Sequence, residues 1–381
     1  MRTSPARLAR AAAYTTAGVA ALAALGLALL WFFHGRATPY DAPTAAPPAG
    51  PAAQVLVELP LPPGNVAVAA DGRSFVNVHP FAQAGRFGVP TVYEVVDGAL
   101  RPFPDAAFQA RYQGVFGMTV DARQWLWMVE PAGLDHAHTR LLAFDLARGA
   151  LVFEHAFERG VGTFAQDLRV TPDGRHVLLA DTGLFRFTPP GLIVFDVERR
   201  SHRVLLAEHP STQPQGWLIR TRLGPHRMAG GLVNFAVGLD GITLSADGRW
   251  LVYGAMSHDT LYRVPLGALL DETLGADEPA AKVESLGPKP LSDGLATMAD
   301  GSVLITDIEH GRLVQRAPDG TLRTLAQPPG VLWADGVAVA PDGAVLFTDS
   351  AIPHYLDPLA RPPRRDVLDA GAPYRGWRWR P

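Results

Sequence analysis

The chain has 381 residues, 34 of them basic and 37 acidic, with a formal net charge of −3 and no cysteine. Lack of cysteine excludes disulfides, thiolate metal sites and cysteine nucleophiles, and the slight acidity gives no basis for nucleic-acid binding. Only Lys282 and Lys289 are lysines, so the many arginines read as codon bias of a GC-rich genome rather than as function.

Arg2, Arg7 and Arg10 precede an apolar run from Ala11 to Phe33, 23 residues without a charge. That length suits a membrane-spanning helix, and the arginines before it orient the N-terminus inward and the rest of the chain outward. A small-x-small site at Gly35-Arg36-Ala37 leaves cleavage as a signal peptide open. The bulky Trp31-Phe32-Phe33 favours a retained anchor. Residues 1–37 are therefore expected to be a signal or membrane anchor, with the protein exported to the cell envelope or periplasm, or secreted after cleavage. Residues 38–53, rich in Pro and Ala, read as an extended linker.

From Gln54 onward one unit recurs: an apolar strand, a tight turn, a second apolar strand, then an acidic residue. The turns centre on Asp71-Gly72, Asp121-Ala122, Asp173-Gly174, Asp247-Gly248, Asp300-Gly301 and Asp342-Gly343, at spacings of 42 to 74 residues. Asp-Gly between β-rich runs is a strong hairpin signal, and units of about 40–50 residues suit four-stranded blades. The predicted fold is all-β, a six-bladed β-propeller over 54–381, with a β-sandwich as the competing architecture. The longest spacing holds Ser201–Leu239, with His202, His209, Trp217, His226 and Arg227, and is expected to pack over one face. The sixth unit lacks a strand. The run Tyr374–Arg380 and the spare strand Gln54–Leu59 are predicted to pair and close the ring.

Asp240, Asp293 and Asp335 each stand in an Asp-Gly pair seven residues before a turn. Asp307 and Asp349 end the returning strands on the same side. Gln166, with Asp167 beside it, takes the same register in the third unit; Glu130 follows the second unit's strand and Asn65 lies near the first position. Collected on one channel rim, these side chains would bind a small-molecule ligand. Alternatively they would hold a hard cation such as Ca²⁺, with Asp240 and Asp293 as ligands, or supply a general base. The alternative is structural, since an Asp before Gly often caps its own turn. His258-Asp259 and Glu309-His310 are weaker acid–base candidates, expected to lie in strand connections. Trp125 and Trp127 read as packing aromatics.

Several stretches resemble the bacterial branch of the major royal jelly protein/yellow family: Trp125–Glu130, Gln166–Val170, Asp240-Gly241-Ile242 through Ala255, Leu261–Pro265, Ser292–Leu295, Thr306–His310 and Thr348–Ala351. The resemblance implies an exported six-bladed propeller with a ligand in its axial channel. Relatives bind small amines or lipids, and some are linked to dopachrome conversion, so an aromatic amine, catechol or indole is the implied ligand. Glu130 stands where the family usually has aspartate. The competing enzyme class is the calcium-dependent lactone hydrolase of the gluconolactonase type, similar in fold. Its Gly-Glu-x-Pro metal motif is replaced here by Pro63-Gly64-Asn65-Val66. A non-catalytic interaction scaffold is the third reading.

Overall fold

The structure is a computed structural model and describes residues 5–48, 50–82, 91–357 and 370–381. Arg2 and most of the Pro/Arg-rich loop before the closing strand lie outside them.

Six four-stranded antiparallel sheets form the body. Their innermost strands are Pro63–Val68, Met118–Val120, Ala165–Val170, Leu239–Leu244, Ser292–Thr297 and Ala334–Val339, which we call blades 1 to 6. The six-bladed propeller is the fold that the turn spacing predicts. In blade 6 the third strand, Tyr374–Trp379, carries Gln54–Leu59 on its outer edge, with Val55 opposite Trp377 and Leu59 opposite Tyr374. The ring is thus closed by the spare N-terminal strand, as expected. Val57, Leu59 and Trp377 are buried there, so both chain ends are held in one sheet with Gln54–Leu59 as its outer strand.

The second turn departs from its reading. Its left-handed residue is Gln124 (φ 60°), whose N–H bonds Asp121 O; in the other blades a glycine does this, for example Gly301 to Met298 O. The turn therefore sits two residues later than Asp121-Ala122 suggests. Counted back from Gln124, Phe116 and Gly117 occupy the register of Asp293 and Gly294, and a Cβ on Gly117 would lie 2.6 Å from Gln166 O. The Gln124 side chain holds the turn without glycine: its Nε2 donates to Asp121 O (3.2 Å) and its Oε1 accepts Ala70 N–H (2.7 Å).

The inner strands approach the axis very closely. A Cβ on Gly241 would lie 2.5 Å from Asp293 O, one on Gly294 2.5 Å from Asp335 O, and one on Gly336 2.6 Å from Asn65 Cα. Each glycine thus belongs to one blade and makes room for the next. At the same points strand pairing breaks into bulges, between Leu239 and Ile242, Ser292 and Leu295, and Ala334 and Val337. In blades 5 and 6 a threonine takes up the freed amide: Gly294 N–H donates to Thr306 Oγ1 (2.8 Å) and Gly336 N–H to Thr348 Oγ1 (3.0 Å). Bulges re-aim side chains, and here the re-aimed residue is the aspartate.

Residues 206–238 form a cap of short hairpins over the face where the inner strands begin. Ile219, Phe235 and Val237 bury against Leu291, Ile308, Leu332 and Trp333. The segment 38–53 is not a free linker. Thr38–Pro39 pairs in parallel with Trp217–Leu218 of the cap, and Ala46 bridges to Arg323 at the outer edge of blade 5. Tyr40 is buried and its hydroxyl donates to Lys289 O (2.9 Å). Buried Tyr40 and Ala45 supply the apolar contact that a solvated linker would lack. Before it, a helix Pro5–Leu30 runs into one π-turn, Trp31–Gly35. Within the span Ala13–Gly35 an 18-residue window has mean hydropathy 2.1 and no buried residue, as fits a signal anchor or signal peptide.

Candidate functional site

The axial cavity beneath the cap is lined by Asn65, Asn77, His79, Phe116, Gln166, Asp167, Asp240, Asp293 and Asp335, together with Gly64 and Gly294. Blades 4 to 6 contribute the three register aspartates, and blade 3 adds Asp167 through its own bulge after Ala165. Blades 1 and 2 face them with the amides and rings. The cavity measures about 20 Å³, enough for roughly one water or one ammonium head.

Each carboxyl has its own surroundings. Asp293 Oδ2 accepts the Trp333 indole N–H at 2.9 Å. Burial pushes its pKa up to about 7, the indole N–H works against that, and Asp167 adds to it. Asp240 is 2% exposed, and its Oδ2 is buried without a hydrogen-bond partner. Burial first, then the charges of Asp293, Asp335 and Asp167, drive its carboxyl far above the ordinary range. Asp335 rises for the same reasons, burial and then Asp293. Asp167 rises by burial despite its contact with Arg169. Like charges at this separation from water cannot all ionise, so protons or a cation must hold the cluster.

The cluster is closed on both sides. Arg169 reaches from blade 3 to blade 5, bonding Asp167 Oδ1 and Leu295 O at 2.8 Å each. Among the described residues it is the one guanidinium bonded to a carboxylate of the axis. At the other end is a ring layer. His79 contacts Phe81, Phe116 and Tyr355 at 5.4–5.6 Å between centroids, and Trp333 meets Phe235 and His226 of the cap at 5.6–5.8 Å. Burial holds His79 down to about 3 and His226 down to about 4, so both are neutral rings. Asn77 accepts Asn65 N–H and donates to Val115 O, which ties blade 1 to blade 2.

Three predicted rim residues are turned to other work. Glu130 is buried; its Oε2 accepts both Nη2 (2.5 Å) and Nε (2.9 Å) of Arg140, and its Oε1 accepts Gln113 N–H at 2.6 Å. Asp307 pairs with Arg312 (2.7 Å) and His310 (2.9 Å). Asp349 accepts the N–H groups of Leu332 (3.1 Å) and Trp333 (2.9 Å). All three end the second strand of a blade, one strand away from the axis, where neighbouring backbone and arginines capture them. Neither weaker acid–base pair forms a dyad. His258 Nδ1 lies 3.3 Å from Asp259 Oδ1, but it accepts Thr260 N–H, and burial lowers its pKa to about 4. Glu309 accepts Arg220 N–H (2.7 Å) while His310 turns to Asp307. Trp127 is buried and donates to Asp121 Oδ2 (2.9 Å).

Lys289 is a neighbour of the site that the sequence reading did not single out. It is fully buried, donates to Ser292 Oγ (2.9 Å) and Pro290 O (3.2 Å), and burial lowers its pKa to about 7, with Asp259 and Asp240 opposing. Gly254 makes its room, since a Cβ there would lie 2.6 Å from Lys289 Cε. A larger cleft of about 1020 Å³ lies away from the axis, between residues 40–45 and Arg220, Arg222, Glu309 and Arg312. Its main charges are engaged: Arg312 by Asp307, and Arg220 by Tyr40 O (3.1 Å).

The metal expectation does not fit this arrangement. Among the described residues no three His, Asp or Glu side chains group so as to hold a metal ion. Ca²⁺ requires about six to eight oxygens around one point.

Fold and axis together define a closed six-bladed propeller with a capped acidic centre. A profile of the major royal jelly protein family matches residues 113–327, and the chain belongs to that family. No protein of curated function matches it. Among solved structures it is similar to a gluconolactonase from Xanthomonas campestris (TM-score 0.50, 15% identity, 81% of this chain and 96% of that one). It is also similar to a protein assigned as a gluconolactonase (0.52, 14%, 83% and 94%). A third is described as an oxidoreductase of the glucose dehydrogenase type from Thermus thermophilus (0.52, 13%, 86% and 99%). At these identities the likeness is one of fold.

Proposed function

We propose that this is an envelope-anchored propeller that binds the cationic head of a small amine among Asp240, Asp293, Asp335 and Asp167. The observation that carries the reading is Asp240 Oδ2, buried and without a hydrogen-bond partner. Buried polar atoms are otherwise nearly always satisfied, and a donor-rich cation would satisfy this one. The cavity of about 20 Å³ admits an ammonium group. The amine's body would have to displace part of the ring layer of His79, Phe116 and Tyr355, and aromatic faces suit both a cation and an aromatic body. No residue set favours metal-dependent lactone hydrolysis or dopachrome conversion over binding.

Binding would exchange protons for the cation, so affinity should rise with pH as the cluster ionises. Isothermal titration of the full chain in nanodiscs with tyramine and tryptamine, at several pH values and in buffers of different ionisation heat, tests this. We expect proton release on binding, tighter binding at pH 8 than at pH 6, and at least about tenfold weakening in Asp240→Asn, as for loss of one buried charge-assisted bond. Equal binding of an uncharged analogue, or no heat from any amine, overturns the reading. Saturation by Ca²⁺ instead would mark the axis as a metal site.

A further inference from the structure

We propose that the capped face of the propeller, above the buried acidic axis, lies against the phospholipid surface, so that headgroups cover the cap and the axis points toward the bilayer. The inference rests on the apolar helix being retained. It adds an orientation that a membrane anchor alone does not impose, because an anchor on a free linker would let the propeller tumble.

No slack separates helix from body. The helix Pro5–Leu30 passes straight into Trp31–Gly35, and that turn is already docked. Gly35 is buried, and a Cβ there would lie 2.6 Å from Leu232 O of the cap. Arg227 of the cap donates to Gly35 O (2.9 Å). His34 stacks on Phe187 with ring centroids 4.2 Å apart and planes 13° apart. Three residues later, Thr38–Pro39 joins the cap strand Trp217–Leu218.

Distance then fixes what the cap meets. The 23-residue span would be about 35 Å long as a helix, against a hydrocarbon core of about 30 Å. Trp31, Phe32 and Phe33 at its end are exposed, as aromatic residues are at a membrane interface. Gly35, held by the cap, follows within two to four residues. The cap is therefore within the depth of the headgroup layer. The outward residues of the cap and of the segments beside it suit that layer. Phe187 and Leu223 are 48% and 54% exposed, at the tips of the Asp181–Gly191 connection and of the Arg220–Pro225 hairpin. Arg36, Arg186 and Arg222 are exposed beside them. Apolar tips ringed by arginines match acyl boundary and phosphate.

The chain has no cysteine, so single cysteines can be labelled without background. Leu223→Cys and Phe187→Cys, with Leu25→Cys in the helix and Asp300→Cys at a turn on the opposite face, would each carry an environment-sensitive fluorophore. The full chain would be placed in nanodiscs of phosphatidylcholine and phosphatidylglycerol, with lipids brominated near the headgroup for labels at 187, 223 and 300 and along the acyl chain for the label at 25, since Leu25 lies mid-span. Expected is loss of emission at 223 and 187 and none at 300. Quenching at 25 but not at 223 and 187 overturns this orientation while leaving the anchor intact. No quenching at 25 overturns the anchor and the orientation with it.

Discussion

Replacing Asp293 by Asn should flatten the pH dependence of stability. The carboxyl's pKa is raised from 3.8 to about 7 in the folded protein, chiefly by burial. Between those values the folded state holds a proton that the unfolded state has released. Its stabilising effect is complete below pH 3.8 and is lost as pH rises through 7. A displacement of about three pH units at about 1.36 kcal/mol each is about 4 kcal/mol, of which about 2 kcal/mol falls between pH 5.5 and 8.5. For a domain of this size that is about 3 °C in melting temperature. Asparagine cannot ionise, yet its amide oxygen still accepts the Trp333 N–H that Oδ2 now receives. Thermal melts of wild type and Asp293→Asn at pH 5.5 and 8.5 should therefore diverge, with the variant losing about 3 °C less on going to high pH. Lys289, whose pKa is lowered to about 7, acts in the opposite sense above neutrality, but it is present in both proteins and cancels in the difference. Parallel pH profiles would refute the reasoning, because they would mean that Asp293 ionises folded as easily as unfolded.

Gly294→Ala should destabilise by roughly 3 kcal/mol or more in chemical denaturation, because its Cβ would meet Asp335 O, backbone of the next blade, at 2.5 Å. Gly267→Ala, with nothing within 4 Å, should be neutral or stabilising. Glu130→Gln weakens the Arg140 pair but leaves Arg140 its contacts with Glu154 (3.4 Å) and Arg111 O (2.6 Å), and should cost about 1–3 kcal/mol, while leaving amine binding per folded molecule unchanged in the same titration. A chain beginning at residue 61 loses the outer strand of blade 6 and should melt far below one beginning at Ala52, which keeps it; equal melting would show that the seam holds without it.

The ring and its closure were legible because both follow from local chemistry: Asp-Gly turns mark hairpins, and a strand count that is one short at the end and one over at the start has one solution. The axial aspartates were legible for the same reason, since Asp240, Asp293 and Asp335 share one offset from their turns. The second blade was not, because Gln124 takes the left-handed position that glycine holds elsewhere, which hid Phe116 and Gly117. Glu130, Asp307 and Asp349 look like axial carboxylates in sequence. They are diverted by partners fixed only by pairing across strands, as when Arg140 is placed directly opposite Glu130. Asn77 and His79 carry no motif; a buried Asn-Val-His strand was their only mark. Lys289 did leave a trace, as one of two lysines in a chain otherwise basic through arginine. A site where the amine is fully enclosed favours the side chain that can lose its charge.

The position of the acidic cluster is best understood through the glycines. Gly241 and Gly294 let each inner strand press against the aspartate of the next blade, Asp293 and Asp335, and Gly336 does the same against Asn65. Tight closure and carboxyl crowding are thus one geometric fact: the bulge that admits the neighbour also aims the aspartate inward. Tight closure does not by itself require acids there. Gly64, Phe116 and Gln166 occupy the same positions in blades 1 to 3, and the ring closes around them equally well. Three buried aspartates, each raised first by burial and then by neighbouring carboxylates, lower stability at neutral pH where neutral residues would not. A destabilising arrangement confined to one half of the axis, beside a carboxylate oxygen without a partner, is what a binding site for a cation requires and what a turn cap does not.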